Sequence, residues 1–198
     1  SATFYLPWSR DHIDVGTDVQ RAILEGGQDT VAMPRGSGKT SFLEGASIWA
    51  ILYGHRHFLV TIGANGPLSE AILQSIGNEL ENNERLHEDF PEVCYPIACL
   101  EGSTKRAPGQ LYQGERTRIV WTRRAIALPT IAGSVASGAV IRVAPLTGAI
   151  RGMKWKTAEG ATRRPDIVLL DDPQTDESAR SVTECEKREK IVSGAVLG

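Results

Sequence analysis

Met33-Pro34-Arg35-Gly36-Ser37-Gly38-Lys39-Thr40 is the stretch on which the reading of this chain turns. Its closing Gly38-Lys39-Thr40 is the gripping end of a phosphate-binding loop, whose general pattern is G-x-x-x-x-G-K-[ST]. Successive backbone N–H groups in a glycine-rich turn form an anion-binding nest, and the helix that follows aims its free N–H groups at the same point. Lys39 would reach the β- and γ-phosphates of a triphosphate, and the Thr40 hydroxyl would ligate Mg2+. The octapeptide departs from the pattern at one place and adds a residue of note. Met33 occupies the first glycine position, and Arg35 lies three residues before Gly38.

The flanks supply the setting such a loop needs. Asp29-Thr30-Val31-Ala32-Met33 predicts a short buried strand. From Ser41 to Tyr53 the apolar residues Phe42, Leu43, Ala46, Ile48, Trp49 and Leu52 recur near helical spacing. A flexible surface loop can carry Arg-Gly-Ser-Gly-Lys-Thr by chance, but a second motif stands against that reading. Asp166-Ile167-Val168-Leu169-Leu170-Asp171-Asp172-Pro173 is an apolar run ending in two carboxylates, the shape of a Walker B strand. One carboxylate at a strand end can hold the hydration shell of Mg2+, and a second can orient or deprotonate an attacking water. Alone, the same residues would read as a solvated turn after a strand.

These motifs resemble the ATPase motor of tailed-bacteriophage terminase large subunits, the DNA-packaging proteins. The resemblance rests on Pro34 to Thr40, on Ile150-Arg151-Gly152, and on Arg164-Pro165 followed by the Asp166–Pro173 run. Tyr5 to Ser9, with Pro7-Trp8, is similar to the family's segment upstream of the loop, which helps hold adenine. In that family the first glycine is often absent and an Arg stands where Arg35 does. The resemblance implies ATP and Mg2+ as cofactors. Pro34, Arg35, Gly36, Ser37, Gly38, Lys39, Thr40 and Trp8 would bind nucleotide, and Thr40 and Asp171 would hold the metal. Asp172, Arg35 and Lys39 would be catalytic, Arg35 as an arginine finger in cis. Many members have Glu where this chain has Asp172. The implied partners are double-stranded DNA, a portal, a small terminase subunit and a homo-oligomeric ring. The implied compartment is the cytoplasm of a host cell.

The expected fold is therefore α/β: a three-layer αβα P-loop NTPase of the ASCE type with a mostly parallel central sheet. Residues 1–198 read as one ATPase domain, with residues 1–28 an adenine-side lead-in and helix and 29–198 the core. The family's coupling strand after Walker B and its C-terminal nuclease domain have no counterpart, so the fold is expected to stop after the Walker B strand and its following helix.

Composition narrows the field. The mean hydropathy is −0.20, and no apolar run approaches the roughly 20 residues of a membrane span. The first residues lack the basic and long apolar regions of a signal peptide. Cys94, Cys99 and Cys185 show neither the even count of a disulfide scaffold nor CxxC spacing. His55 and His57 flank Arg56 but match no metal motif. The net charge of −2 hides an asymmetry: residues 101–164 hold 12 basic and 3 acidic residues, the remainder 10 and 21. The basic half could form a phosphate-binding surface or basic rims paired with acidic neighbours. Strand alternation would put Arg116 and Arg118 on one face.

Helices are predicted from Arg10 to Glu25, Leu68 to Leu80 after the Asn65-Gly66-Pro67 turn, briefly to Phe90, and from Glu177 to Val196. Strands are predicted at Phe58–Gly63, Thr117–Trp121, Ala125–Leu128 and Ala139–Val143, with residues 91–114 loop-rich. Arg151 could be a nucleotide sensor, a DNA contact or part of a structural salt bridge. Two other functions fit the residues: a small-molecule P-loop kinase with a lid near 101–114, and a module that binds nucleotide or a partner without turnover.

Overall fold

The computed structural model describes residues 7–34, 36–148 and 150–196. Helix α1 (Arg10–Glu25) is capped by the Ser9 side chain and ends at Gly26. Helix α2 (Lys39–Leu52) starts directly at the loop lysine. Strand β1 (Phe58–Gly63) leads to α3 (Gly66–Asn82), whose N-cap Asn65 accepts from the Leu68 N–H and whose first turn carries Pro67. Then come α4 (Glu84–Asp89), α5 (Pro91–Ala98) and a 3-10 turn (Thr104–Gly109). The short strands β2 (Leu111–Tyr112) and β3 (Glu115–Arg116) pair with each other. β4 (Val120–Trp121), β5 (Ala125–Ala127) and β6 (Val140–Pro145) follow, then the hairpin β7 (Trp155–Lys156) and β8 (Thr162–Arg163). Strand β9 (Ile167–Asp171), α6 (Asp176–Ala179), α7 (Val182–Ile191) and a π turn (Val192–Val196) complete the order.

The main sheet has five strands in the order β4-β5-β6-β1-β9. β6, β1 and β9 run parallel, while β5 is antiparallel to both β4 and β6. The sheet is thus mixed rather than mostly parallel. Its β4–β5 turn, built on Thr122, is too short for a parallel crossover: Thr122 Oγ1 accepts from the Ala125 N–H at 3.0 Å.

All six residues of β1 are buried, as a central strand requires. Leu59 and Ile141 face α2, α3 and α5, joining Ile51, Ile76 and Ile97 in the largest apolar cluster. Phe58, Val60 and Ile62 face the other way, onto Leu146, Ile150, Ile191 and the 153–155 segment. A third cluster packs α1 on α2 through Val19, Ile23, Phe42 and Ala50, with Val31 and Ile167 against it. At the carboxyl end of the parallel strands, buried Ser69 ties three elements together. Its Oγ accepts from the Gly63 N–H at 3.1 Å and lies 3.0 Å from the Ala144 carbonyl.

Several sequence expectations change here. Residues 29–33 form no strand: Val31 packs on the α1–α2 cluster beside Ile167, and the segment makes no ladder with β9, the edge strand of the sheet. Arg118 has φ +52, which breaks the alternation with Arg116 and restricts the 117–121 strand to β4. Residues 91–98 are helical: Pro91 sits at the helix start, where no N–H is needed, and the interior Pro96 is buried in a helix only eight residues long. The C-terminal helix is interrupted at Arg180–Ser181, where Ser181 caps α7 by accepting from the Glu184 N–H.

Gly77 faces the sheet from the middle of α3, and a Cβ there would stand 2.9 Å from Trp121 Cζ2. Gly77→Val is expected to lower unfolding stability by about 1–3 kcal/mol through overpacking, read as a fall in the urea midpoint. A midpoint at or above that of the parent would show that Trp121 yields freely and that helix propensity, about 0.3–0.5 kcal/mol in favour of valine over glycine, dominates.

Candidate active site

The two sequence motifs, 131 positions apart, meet at the carboxyl end of β9. Thr40 Oγ1 donates to Asp171 Oδ2 at 2.9 Å. Asp171 ends β9 in register with Gly63 of β1 and is 9% exposed. Its other oxygen, Oδ1, is buried without a hydrogen-bond partner among the described residues. A buried carboxylate oxygen with no donor is costly unless a cation or water completes it. Mg2+ commonly takes one or two carboxylates, the remaining positions being filled by water and substrate phosphates. The hydroxyl and half-satisfied carboxylate therefore fit such an ion. No group of three or more His, Cys, Asp or Glu side chains suited to a metal occurs among the described residues, and a site of this kind does not require one.

The loop itself is shaped by its glycines. Gly36 and Gly38 have φ +81 and +80, and a Cβ at either would meet nothing within 4 Å. Backbone handedness rather than crowding calls for glycine at both. The Ser37 N–H and hydroxyl both donate to the Pro34 carbonyl, at 3.3 and 2.7 Å, closing the turn. Lys39 opens α2, and among the described residues no ion pair engages its ammonium. Arg35 lies outside the described residues.

Histidine 12, which sequence motifs passed over, holds the loop from the side. His12 Nε2 lies 2.9 Å from the Ser37 carbonyl, an acceptor only, so Nε2 carries a proton. With a neutral ring, Nδ1 then accepts from the Ser9 hydroxyl at 2.6 Å. Trp8 packs edge-on to His12 and Phe42, with ring centroids 6.2 and 5.6 Å away. It borders an apolar cavity of about 550 Å3 between α1 and α2. The nucleotide-side candidate Trp8 is thereby coupled to the loop through one histidine, a contact over 25 positions that no local pattern signals.

Asp172 follows Asp171 on the surface, with φ +44. Its backbone is in the left-handed region that Asp tolerates better than most residues. The next residue is Pro173, whose ring ordinarily pushes its predecessor towards extended backbone. Arg151 donates from Nε and Nη2 to the Gly194 carbonyl at 3.1 and 2.8 Å. It braces the loop after β6 against the π turn; none of the three sequence roles includes this contact.

Glu44, four residues after Thr40 on the same helix face, is a second residue the motifs missed. Ser75 Oγ on α3 donates to its Oε2 at 2.8 Å. Burial raises its carboxyl above the ordinary 4.5; the Ser75 hydrogen bond opposes this, and the charges of Asp171 and Glu79 add to it. Between the ordinary and raised values the folded chain binds more protons than the unfolded one, so stability falls as pH rises through that window. Glu44→Gln keeps an acceptor for Ser75 and removes the charge. It is expected to melt higher than the parent at neutral pH and alike below the ordinary carboxylate range, about pH 4. Parallel melting curves across that range would count against a charged Glu44 in the fold.

Cys94 is fully buried and its thiol is pushed up to about 12 by burial, with Glu92 adding to the shift. It serves as core packing rather than as a nucleophile. No helix among the described residues is long and apolar enough to cross a membrane. No protein-family model, curated protein or solved structure matches the chain.

Proposed function

We propose that this chain is an Mg2+-dependent ATPase motor domain, of the kind found in phage terminase large subunits, that powers translocation of double-stranded DNA into a capsid. The observation that supports it most is the Thr40–Asp171 contact, beside a carboxylate oxygen with no partner among the described residues, at the start of the helix that begins with Lys39. This is the arrangement a triphosphate with its metal needs: a cation for phosphate, backbone N–H groups at a helix start, and a hard oxygen pair for Mg2+.

In this reading the adenine lies on the Trp8 side and the phosphates lie over Gly36 to Lys39. Thr40 and Asp171 hold the metal, which supplies charge neutralisation at the transferring phosphoryl group. Asp172 orients or deprotonates the attacking water, with Arg35 a further contact to the γ-phosphate. The fold would be a P-loop NTPase core working in a ring in the host cytoplasm, with a portal and a small subunit as partners. Lys39→Ala is expected to abolish Mg·ATP binding measured by calorimetry, and DNA is expected to stimulate turnover in the parent. Equal ATP affinity in the parent and Lys39→Ala would remove the reading.

Nucleotide binding without turnover is a second reading, favoured by one observation. Residues 29–33 have no sheet partner, so the loop is anchored through α2 and His12 but not through a strand. Saturable Mg·ATP binding with no phosphate release would support it.

A further inference from the structure

At the opposite edge of the sheet, the amino ends of β1 and β6 border a cavity of about 440 Å3. Its lining includes Arg118, Lys156, Arg163 and His57, and Glu159 is its one carboxylate. The basic half of the chain is divided here. Arg106 and Arg124 are paired with Glu101 and Glu70. Arg118, Lys156 and Arg163 have no ion pair among the described residues. The nearby Asp166 uses both oxygens on the backbone N–H groups of His57 and Phe58, at 2.8 and 2.9 Å.

The two guanidinium groups are held in place by carbonyls rather than by acids. Arg118 donates to the Ala158 carbonyl at 2.8 Å, and Arg163 to the Gly138 carbonyl at 3.3 Å. The left-handed backbone at Arg118 belongs to this arrangement. A guanidinium has five N–H donors in a planar fork, so each retains donors that carbonyl anchoring does not consume. Glu159 lies on the β7–β8 turn between Lys156 and Thr162. Its carboxyl is held below the usual value first by its own backbone N–H and then by the Thr157 side chain, with Arg118 and Arg163 adding to the shift in the same direction.

We infer that this cavity is a phosphate-binding site, separate from the Thr40–Asp171 edge, that takes a backbone phosphate of duplex DNA on Arg118, Arg163 and Lys156. Glu159, which makes no ion pair with either arginine among the described residues, lowers the positive potential that the phosphate meets. Oriented guanidinium forks with an adjacent ammonium suit a phosphate oxyanion, and exposed Lys156 and Arg118 leave room for a polymer to pass. The choice of DNA as phosphate source rests on the motor reading; the site itself does not.

The test is fluorescence anisotropy of a short labelled duplex over a salt series, with inorganic phosphate titrated separately and followed by NMR at His57 and Gly138. Lys156→Ala is expected to reduce the slope of log affinity against log salt by about 0.9, the value for one phosphate contact. Arg118→Ala is expected to do the same. Glu159→Gln is expected to tighten duplex binding a few-fold, a gain that a folding defect cannot imitate. Saturable NMR shifts with inorganic phosphate, but duplex binding unchanged in the variants, would keep the phosphate site and overturn DNA as its source. Wild-type affinity and slope in all three variants, with no shift at His57 or Gly138, would overturn the proposal. Mg·ATP binding measured on the same samples separates this outcome from failure of the motor reading: the cavity variants should retain it, and Thr40→Ala should lose it.

Discussion

Asp171→Asn is expected to abolish the thermal stabilisation that Mg·ATP confers, while leaving the ligand-free protein as stable as the parent or more so. In the folded chain, Asp171 Oδ2 accepts from Thr40 and Oδ1 is buried with no donor among the described residues. A buried polar oxygen without a partner costs about 1–3 kcal/mol, and more when charged. An amide keeps an acceptor for Thr40 and exchanges an unpartnered charged oxygen for an unpartnered neutral NH2, a smaller cost, so the ligand-free fold should gain. The gain carries a functional loss, since a neutral amide is a poor ligand for a hard cation. A ligand at about a hundred times its dissociation constant stabilises by about 2.7 kcal/mol. That increment should appear in the parent and vanish in Asp171→Asn, read as the difference between melting curves with and without Mg·ATP. The same substitution removes a charge that helps raise the Glu44 carboxyl, so the Glu44 titration should move back towards its ordinary range. An unchanged Mg·ATP increment in Asp171→Asn would dissociate the carboxylate from metal binding.

Asp172→Asn should have the opposite profile: Mg·ATP affinity retained, and turnover reduced by about 10^2- to 10^4-fold, the range for loss of a general base. Asn tolerates the left-handed backbone that Asp172 adopts at φ +44, so the strand end should hold its shape. The measurement is steady-state phosphate release at saturating ATP, with affinity checked by calorimetry. Comparable turnover in the two proteins would assign water activation to another group. Weakened nucleotide affinity would instead place Asp172 among the metal ligands. Together the two variants distinguish a residue that holds the ion from one that acts on water.

The local elements were readable from the chain. The helix from Arg10 ends at Glu25 as its periodicity predicts, and Phe58–Gly63 is a strand with both faces covered. Asn65-Gly66-Pro67 starts a helix because an Asn side chain can cap it and a proline fits its first turn. The two helix outcomes depend on interactions within a few residues. The segment 29–33 fails for the converse reason. Its apolar pattern is that of a strand, but it pairs with no strand, although β9 ends the sheet; its Val31 packs against the α1–α2 cluster instead. Arg116 and Arg118 part company because a single left-handed residue resets which way later side chains point.

By itself, the sequence determined the kinds of chemistry available: a glycine-rich turn before Lys39 and Thr40, a paired carboxylate after an apolar run, and a basic half from 101 to 164. Glu44 too was within reach of spacing, four residues beyond Thr40. Tertiary structure alone decided the contacts. It set Thr40 against Asp171, closed His12 onto Ser37, and gathered Arg118 and Arg163 around one cavity at the far edge of the sheet. The physical reason is the range of the interactions. Turn and helix preferences act over a few residues, whereas register and burial are fixed when β1 packs between β6 and β9, carrying groups more than a hundred positions apart to the same strand end.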